Sequence, residues 1–248
     1  MHKLRESSDG GMYFTDVVSF KTEFRLKSST VEKTFDFAFK MTFGEKGQHR
    51  QYRSGGTHVR KLGEIFADTF QGKLAEFAIY NCLYQDFDVN VPDLDVWNLG
   101  KWDSCDLVAN GAKIAIKSTK AFGQLLLLET KDWDENGCYI PNYNQGESNY
   151  DVFFLVRMRP FATDILKKCK LYYANCADYD SLKQDIIAET WEYDIPGFIT
   201  HDELKAIIQE KQIIKRGALL NGKTPMDAEN YYCQAADMHP IESLKLYI

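Results

Sequence analysis

The clearest alternation of apolar and polar residues lies in two short runs that flank an Asn-Gly pair. The runs are residues 107–109 and 112–116, and the pair is Asn110-Gly111. A two-residue type I′ turn needs positive φ at both central positions, and Asn-Gly meets this need better than other pairs. The pattern therefore predicts a β-hairpin centred on Asn110-Gly111.

Counting outward from this turn sets the register of the predicted hairpin. Leu107 faces Ile114, so Asp106 faces Ala115, and Lys117 follows Ala115 on the same face. An acid and a lysine held together on rigid strands suit metal-dependent hydrolysis of phosphodiesters. The carboxylate binds a hard divalent cation, and the lysine orients the attacking water and offsets developing phosphate charge.

The remaining pattern predicts a mixture of helices and strands. A helix is expected over 58–84, with a possible break at Gly72, because apolar residues recur there at i, i+3, i+4 and i+7. Thr200 and Glu203 form a predicted capping box ahead of a short helix. The other expectations are a loose arm (1–12), antiparallel strands (21–43), buried strands (125–130 and 150–158), a mixed helix and strand segment (164–173), a helix (180–189) and a small hairpin or wing around Arg216-Gly217.

Composition places the chain among folded globular proteins. It has 248 residues, of which 44% are hydrophobic and 14% aromatic, enough for one large domain or a domain with an appendage. No apolar run approaches the roughly 18 residues of a membrane span, and residues 1–14 lack the apolar core of a signal peptide. The six cysteines show neither a CxxC pair nor zinc-site spacing, so we expect reduced thiols in a cytoplasmic protein.

Charge is distributed unevenly along the chain. The net charge is −6, yet residues 21–61 hold ten basic and four acidic residues and so carry +6, which leaves −12 for the rest. A basic segment on an acidic body suits an enzyme that contacts DNA in one cleft. Arg50 and Arg53 lie in a Gly-rich loop there, and their guanidinium groups could reach phosphates or guanine. An ordinary solvated surface is the alternative interpretation.

The order of elements around the hairpin resembles a known enzyme core. A helix with GKLAE (72–76) precedes the strands with DLV (106–108) and IAIKST (114–119), and two buried strands follow. This order is similar to the core of the PD-(D/E)xK nuclease superfamily and, within it, to type II restriction endonucleases, over residues 57–158. The resemblance implies an α/β (α+β) fold with a central mixed β-sheet flanked by helices. Residues 1–160 would contain this core, and residues 161–248 would pack on the same domain, with a small subdomain as the alternative.

The sequence departs from the family pattern at Ala115. The family carries Asp or Glu two residues before the lysine, and this residue ligates the metal. Another element must therefore supply the second carboxylate. We favour Glu76, because a helix glutamate is a recurrent extra ligand in the family. Glu129 is the reserve candidate, since the leucine-rich strand that it ends should neighbour the Lys117 strand. Asp93, after Pro92, is an alternative metal ligand in place of Asp106, but it lacks the register relation.

The resemblance implies a Mg²⁺-dependent type II restriction endonuclease that cuts double-stranded DNA at a specific short site as a homodimer. The candidate catalytic residues are Asp106, Lys117, Glu76 and Glu129, and the candidate metal ligands are Asp106, Glu76 and Ile116. The candidate DNA-binding residues are Arg50, Arg53, Arg60, Lys120 and Arg157. Two alternatives stay open. One is a nuclease of the same superfamily with a repair, mobile-element or RNA role, and the other, which Ala115 favours, is a catalytically inactive DNA-binding protein on the same fold.

Overall fold

A computed structural model describes residues 1–22, 24–44, 59–95, 105–145 and 148–248. The helices are α1 (Ser28–Thr42), α2 (Leu62–Leu83), α3 (Ala162–Lys168), α4 (Tyr179–Ile187) and α5 (His201–Gln209). The strands are β1 (Arg5–Glu6), β2 (Met12–Phe14), β3 (Phe24–Arg25), β4 (Leu107–Ala109), β5 (Ala112–Lys120), β6 (Leu125–Glu129), β7 (Val152–Arg159), β8 (Glu192–Thr200), β9 (Ile213–Ile214), β10 (Leu219–Leu220), β11 (Thr224–Pro225) and β12 (Asn230–Gln234).

A five-stranded mixed sheet forms the centre of the molecule, in the order β3-β8-β7-β5-β4. The pair β5 and β7 is parallel, and the other neighbours are antiparallel. The predicted α+β class with a mixed central sheet is confirmed. The segment after residue 160 contributes β8 to this sheet. None of the helices in the described residues is both long and apolar enough to cross a membrane.

The predicted hairpin of β4 and β5 is confirmed in turn and register. Asn110 and Gly111 have φ values of 49° and 86°. Leu107 pairs with Ile114, and the Asp106 N–H donates to the Ile114 carbonyl at 3.1 Å. The local turn chemistry was therefore sufficient to fix which residues share a face.

The two faces of the central sheet are covered by different layers. Ile114 and Ile116 project into a core shared with α1 and α2. Ala115 projects to the opposite face, into a core shared with α5 and with Leu126 and Leu128 of β6. Because side chains alternate along a strand, Lys117 leaves β5 on the Ala115 face.

We expected the leucine-rich strand to neighbour the Lys117 strand, and this expectation is wrong. β7 pairs with β5, whereas β6 pairs with β12 in a second sheet of order β6-β12-β9. Leu126 and Leu128 face the central sheet, and Leu125 contributes to a third core on the other side. Both faces of β6 are buried, and this explains its run of leucines. Burial on both faces does not identify the strand that pairs with β6.

The expectation of antiparallel strands over 21–43 is wrong, because most of this segment is α1. Val31, Phe35 and Ala38 follow helical spacing, and all three are buried. Phe37 and Phe39 also pack, so apolar residues occupy several sides of the helix. A helix that is buried on several sides produces the short alternation that suggested a strand.

Several smaller expectations also change. Residues 1–12 are not a loose arm, because β1 and β2 join β10 and β11 in a small sheet. α2 passes through Gly72 without a break, and residues 164–173 form the end of α3 and turns rather than a strand. The hairpin near Arg216 is instead β10–β11, around Asn221-Gly222. The helix at 180–189 is confirmed as α4, and the Thr200 and Glu203 capping box of α5 is confirmed.

Candidate functional site

Asp106 lies one residue before β4, and its carboxylate is fixed against β5. The Asp106 Oδ2 atom accepts a hydrogen bond from the Ile116 N–H at 2.6 Å. The N–H and C=O of a strand residue point to the same edge, so the Ile116 carbonyl also points toward Asp106. The Ile116 side chain is buried, and its carbonyl is therefore the atom through which Ile116 could bind a metal.

Lys117 lies at a cavity of about 260 Å³ between the central and second sheets. Its ammonium group forms no hydrogen bond or ion pair with any residue that the structure describes. The polar residues that line the same cavity are Glu129, Asp132, Asp227 and Asn230. Glu129 pairs with Lys131 at 2.6 Å. The cavity thus combines an unengaged cation with three carboxylates.

An aromatic cluster connects Asp106 to this cavity. Trp133 and Tyr139 line the cavity, with ring centroids 5.0 Å apart, and Tyr150 lies 6.1 Å from each of them. Burial and the nearby Asp106 carboxylate raise the pKa of Tyr150. The Tyr150 phenol therefore stays protonated, and the cluster supplies an apolar wall beside the charged groups.

Glu76, the favoured second carboxylate, is placed in the other layer. It lies on α2, which covers the Ile114 and Ile116 face of the sheet. Its carboxylate pairs with Lys73 at 2.6 Å, and both side chains are largely buried. The structure therefore groups Lys117 with the reserve candidate, Glu129, and not with Glu76.

Arg157 does not fit the expected contact with DNA, because its side chain is only 1% exposed. Its Nε and Nη2 atoms donate to the two carboxylate oxygens of Asp194 at 2.8 and 2.6 Å. Nη1 donates to the Val18 carbonyl at 2.7 Å, and Nη2 to that of Ser19 at 3.0 Å. Arg157 is therefore an internal anchor for the segment between β2 and β3.

The other predicted DNA-binding residues fall into two groups. Arg60 is largely buried and pairs with Asp68 at 3.0 Å, whereas Lys120 pairs with Asp164 at 2.6 Å near the surface. Arg50 and Arg53 lie outside the described residues. The alternative ligand Asp93 lies in a loop, where its Oδ1 accepts from the Asp95 N–H at 2.8 Å.

The donor atoms near Lys117 fit a hard divalent cation by type. Mg²⁺ prefers oxygen ligands and usually takes one or two carboxylates, with water and phosphate completing its shell. Asp106 and the acids of the Lys117 cavity offer such oxygens. In the described ranges no three His, Cys, Asp or Glu residues cluster as a metal site. Ala115 is 5% exposed among apolar side chains and supplies no ligand.

Comparisons of the chain with protein-family models, curated proteins and solved structures give no match. The description of the site therefore rests on the arrangement of its residues alone. Sequence reasoning missed Asp227 and Asn230 as cavity residues, because they join the site only through the long-range pairing of β12 with β6. Asp132 and Trp133, which also line the cavity, follow β6 in a segment that carries no sequence signal for contact with Lys117.

Proposed function

We propose that this chain is a metal-dependent endonuclease that hydrolyses phosphodiester bonds of double-stranded DNA at a specific short site, as type II restriction enzymes do. The observation that carries the proposal is the β4–β5 hairpin. It holds the Asp106 carboxylate against Ile116 and presents the unengaged Lys117 from the next position. A homodimer would match the two-fold symmetry of a palindromic site.

Each residue has a role that follows from its position. The Lys117 ammonium group binds a phosphate oxygen and orients the attacking water, and its charge offsets the charge that develops on phosphorus-bound oxygen. Asp106 and Glu129 are the proposed metal-binding carboxylates, with the Ile116 carbonyl as a further oxygen donor. Bound Mg²⁺ would supply Lewis-acid polarisation of the phosphate and a lower pKa for the attacking water. The wall of Trp133, Tyr139 and Tyr150 limits the entry of bulk water.

Incubation of the purified protein with circular plasmid tests this proposal. With Mg²⁺ we expect discrete linear fragments, and with EDTA the plasmid should stay intact. A nicked or smeared product would support a nuclease without site specificity and would contradict the restriction assignment. Intact plasmid with Mg²⁺ across a panel of plasmids that together contain all short palindromes would contradict nuclease activity.

Ala115 favours a second candidate function, a catalytically inactive DNA-binding protein on the same fold. The buried alanine removes a carboxylate from the position opposite Asp106. This candidate predicts that the protein retards the migration of DNA in a gel with or without Mg²⁺, and that the DNA stays uncut. The endonuclease proposal predicts retarded DNA in EDTA and cut DNA in Mg²⁺.

A further inference from the structure

Several exposed lysines lie on and just after the helix that follows β7. α3 follows β7 and carries Lys167 and Lys168 at its end, and Lys170 follows in the next turn. Lys61, at the N-terminal end of α2, is exposed as well. We call these four lysines, together with Tyr173, the basic track.

Backbone contacts hold the two parts of the basic track against each other. The Gly63 N–H, in the first turn of α2, donates to the Ala174 carbonyl at 2.9 Å. A Cβ atom on Gly63 would lie 2.0 Å from the Leu171 carbonyl oxygen, so the 171–174 turn is seated directly on α2. The track therefore runs from α3 across this turn to Lys61.

The lysines of α3 and its following turn are available to an external anion. The ammonium groups of Lys167, Lys168 and Lys170 form no ion pair with the described residues. Lys167 lies over the ring of Tyr172 at 4.9 Å, and the ring of Tyr173 contacts that of Tyr172 edge-on. Tyr173 is 66% exposed. Unpaired lysines beside an exposed aromatic ring suit a phosphate backbone with its attached sugars.

Three exposed aspartates lie near the other end of the sheet. Asp88, Asp151 and Asp202 are exposed around the Asn110-Gly111 turn and the start of α5. A polyanion would therefore be repelled at the hairpin end and attracted at the basic end.

The track begins beside the end of the strand that carries Lys117. Lys120 pairs with Asp164 in the first turn of α3, which joins the end of β5 to the track. Lys117 lies three residues earlier, about 10 Å along the strand, and its side chain leaves the opposite face of the sheet.

We propose that the basic track binds the phosphate backbone of the DNA duplex on which the Lys117 site acts. This inference rests on the proposed endonuclease function. It assigns binding to Lys61, Lys167, Lys168 and Lys170, none of which is part of the cleavage site. Tyr173 provides an aromatic contact to the sugar-phosphate chain.

Binding of a fluorescent duplex, measured by anisotropy in EDTA over a range of salt concentrations, tests the track. The variant Lys167→Gln/Lys168→Gln/Lys170→Gln should bind at least about tenfold more weakly near physiological salt, and its plot of log affinity against log salt should be shallower by about 2 to 3, since each phosphate contact contributes about 0.9. The variant Lys168→Gln/Lys170→Gln spares the Lys167–Tyr172 contact. Its decrease in slope should be about two thirds of the decrease in the triple variant.

The control variant Lys215→Gln/Arg216→Gln/Lys223→Gln removes the same charge from exposed positions around β10. It should keep the wild-type slope to within about 1. Equal losses in both triple variants, an unchanged slope in the track variants, or no binding of DNA by the wild type would overturn the inference. Because binding is measured without metal, binding through the track with no cleavage in Mg²⁺ would contradict the endonuclease proposal alone.

Discussion

Arg157 and Lys117 are cations on neighbouring strands, and they differ in whether other residues of the described structure pair with them. Arg157, on β7, makes two hydrogen bonds to Asp194 and two to backbone carbonyls, and it is buried. Lys117, on β5, opens onto a cavity with three carboxylates and makes no hydrogen bond or ion pair with the described residues. The Arg157 guanidinium group has hydrogen-bond partners within the fold, whereas the Lys117 ammonium group is available to bind a ligand.

Arg157 therefore contributes to the stability of the fold, whereas Lys117 contributes to the proposed activity. A buried cation must be paired, because an unpaired charge in the interior is costly. An exposed lysine has no such need, since water solvates it. The comparison therefore predicts that replacing Arg157 damages the fold, whereas replacing residues around Lys117 damages activity with little loss of stability.

The largest expected effect on stability belongs to Arg157→Met. The substitution leaves Asp194 buried without its partner, so we expect a loss of about 3–5 kcal/mol in the free energy of unfolding. Urea denaturation measures this, with Lys117→Met as the control, expected within about 0.5 kcal/mol of the wild type. Equal stability of the two variants would show that Arg157 is not the anchor that its contacts suggest.

Asp106→Asn should separate activity from folding at the site itself. Asparagine keeps an oxygen that can accept from the Ile116 N–H, so stability should change by less than about 1 kcal/mol. Without the negative charge, cleavage in Mg²⁺ should fall by about a thousandfold or more. Plasmid cleavage and binding in EDTA are the two measurements, and the second should stay near the wild-type value. Retained cleavage would mean that the metal ligand lies elsewhere.

Glu129→Gln and Glu76→Gln should differ in what they affect. Glu129 shares the cavity with Lys117, so its variant should cleave about a hundredfold more slowly. Glu76 is paired with Lys73 in the other layer, so its variant should keep the wild-type cleavage rate and lose about 1–2 kcal/mol of stability. The reverse result would restore Glu76 as the second carboxylate.

Two glycines of α2 should respond in opposite directions to alanine. Gly63→Ala places a methyl group against the Leu171 carbonyl and should cost about 1–3 kcal/mol. Gly72→Ala is the matched control, because its Cβ would meet nothing within 4 Å, and it should gain about 0.5–1 kcal/mol from helix propensity. Thermal unfolding of both variants measures the difference. Destabilisation by Gly72→Ala would contradict the open surroundings of that position.

Local chemistry made part of this molecule predictable from sequence. The Asn110-Gly111 turn fixed the hairpin register, and the Thr200 and Glu203 capping box fixed the start of α5. In both cases the deciding contacts lie within a few residues. The shared face of Asp106, Ala115 and Lys117 followed from that register alone.

Long-range contacts were not predictable from the same signals. The partner of β6 is β12, about one hundred residues later, and this pairing brings Asp227 and Asn230 to the Lys117 cavity. The burial of Arg157 depends on Asp194 and on the carbonyls of Val18 and Ser19, which are distant in sequence. A basic residue at the end of a strand gives no sign of such partners.

Lys117 is the residue on which the proposed cleavage depends most directly, and the rate of plasmid cleavage by Lys117→Ala tests this dependence. Lys113→Ala is the control, because it removes another lysine from the same face of β5 nearer the turn. In single-turnover assays with Mg²⁺, we predict a loss of about a thousandfold for Lys117→Ala, little change for Lys113→Ala, and similar stability for both. Cleavage by Lys117→Ala at the wild-type rate would contradict the account.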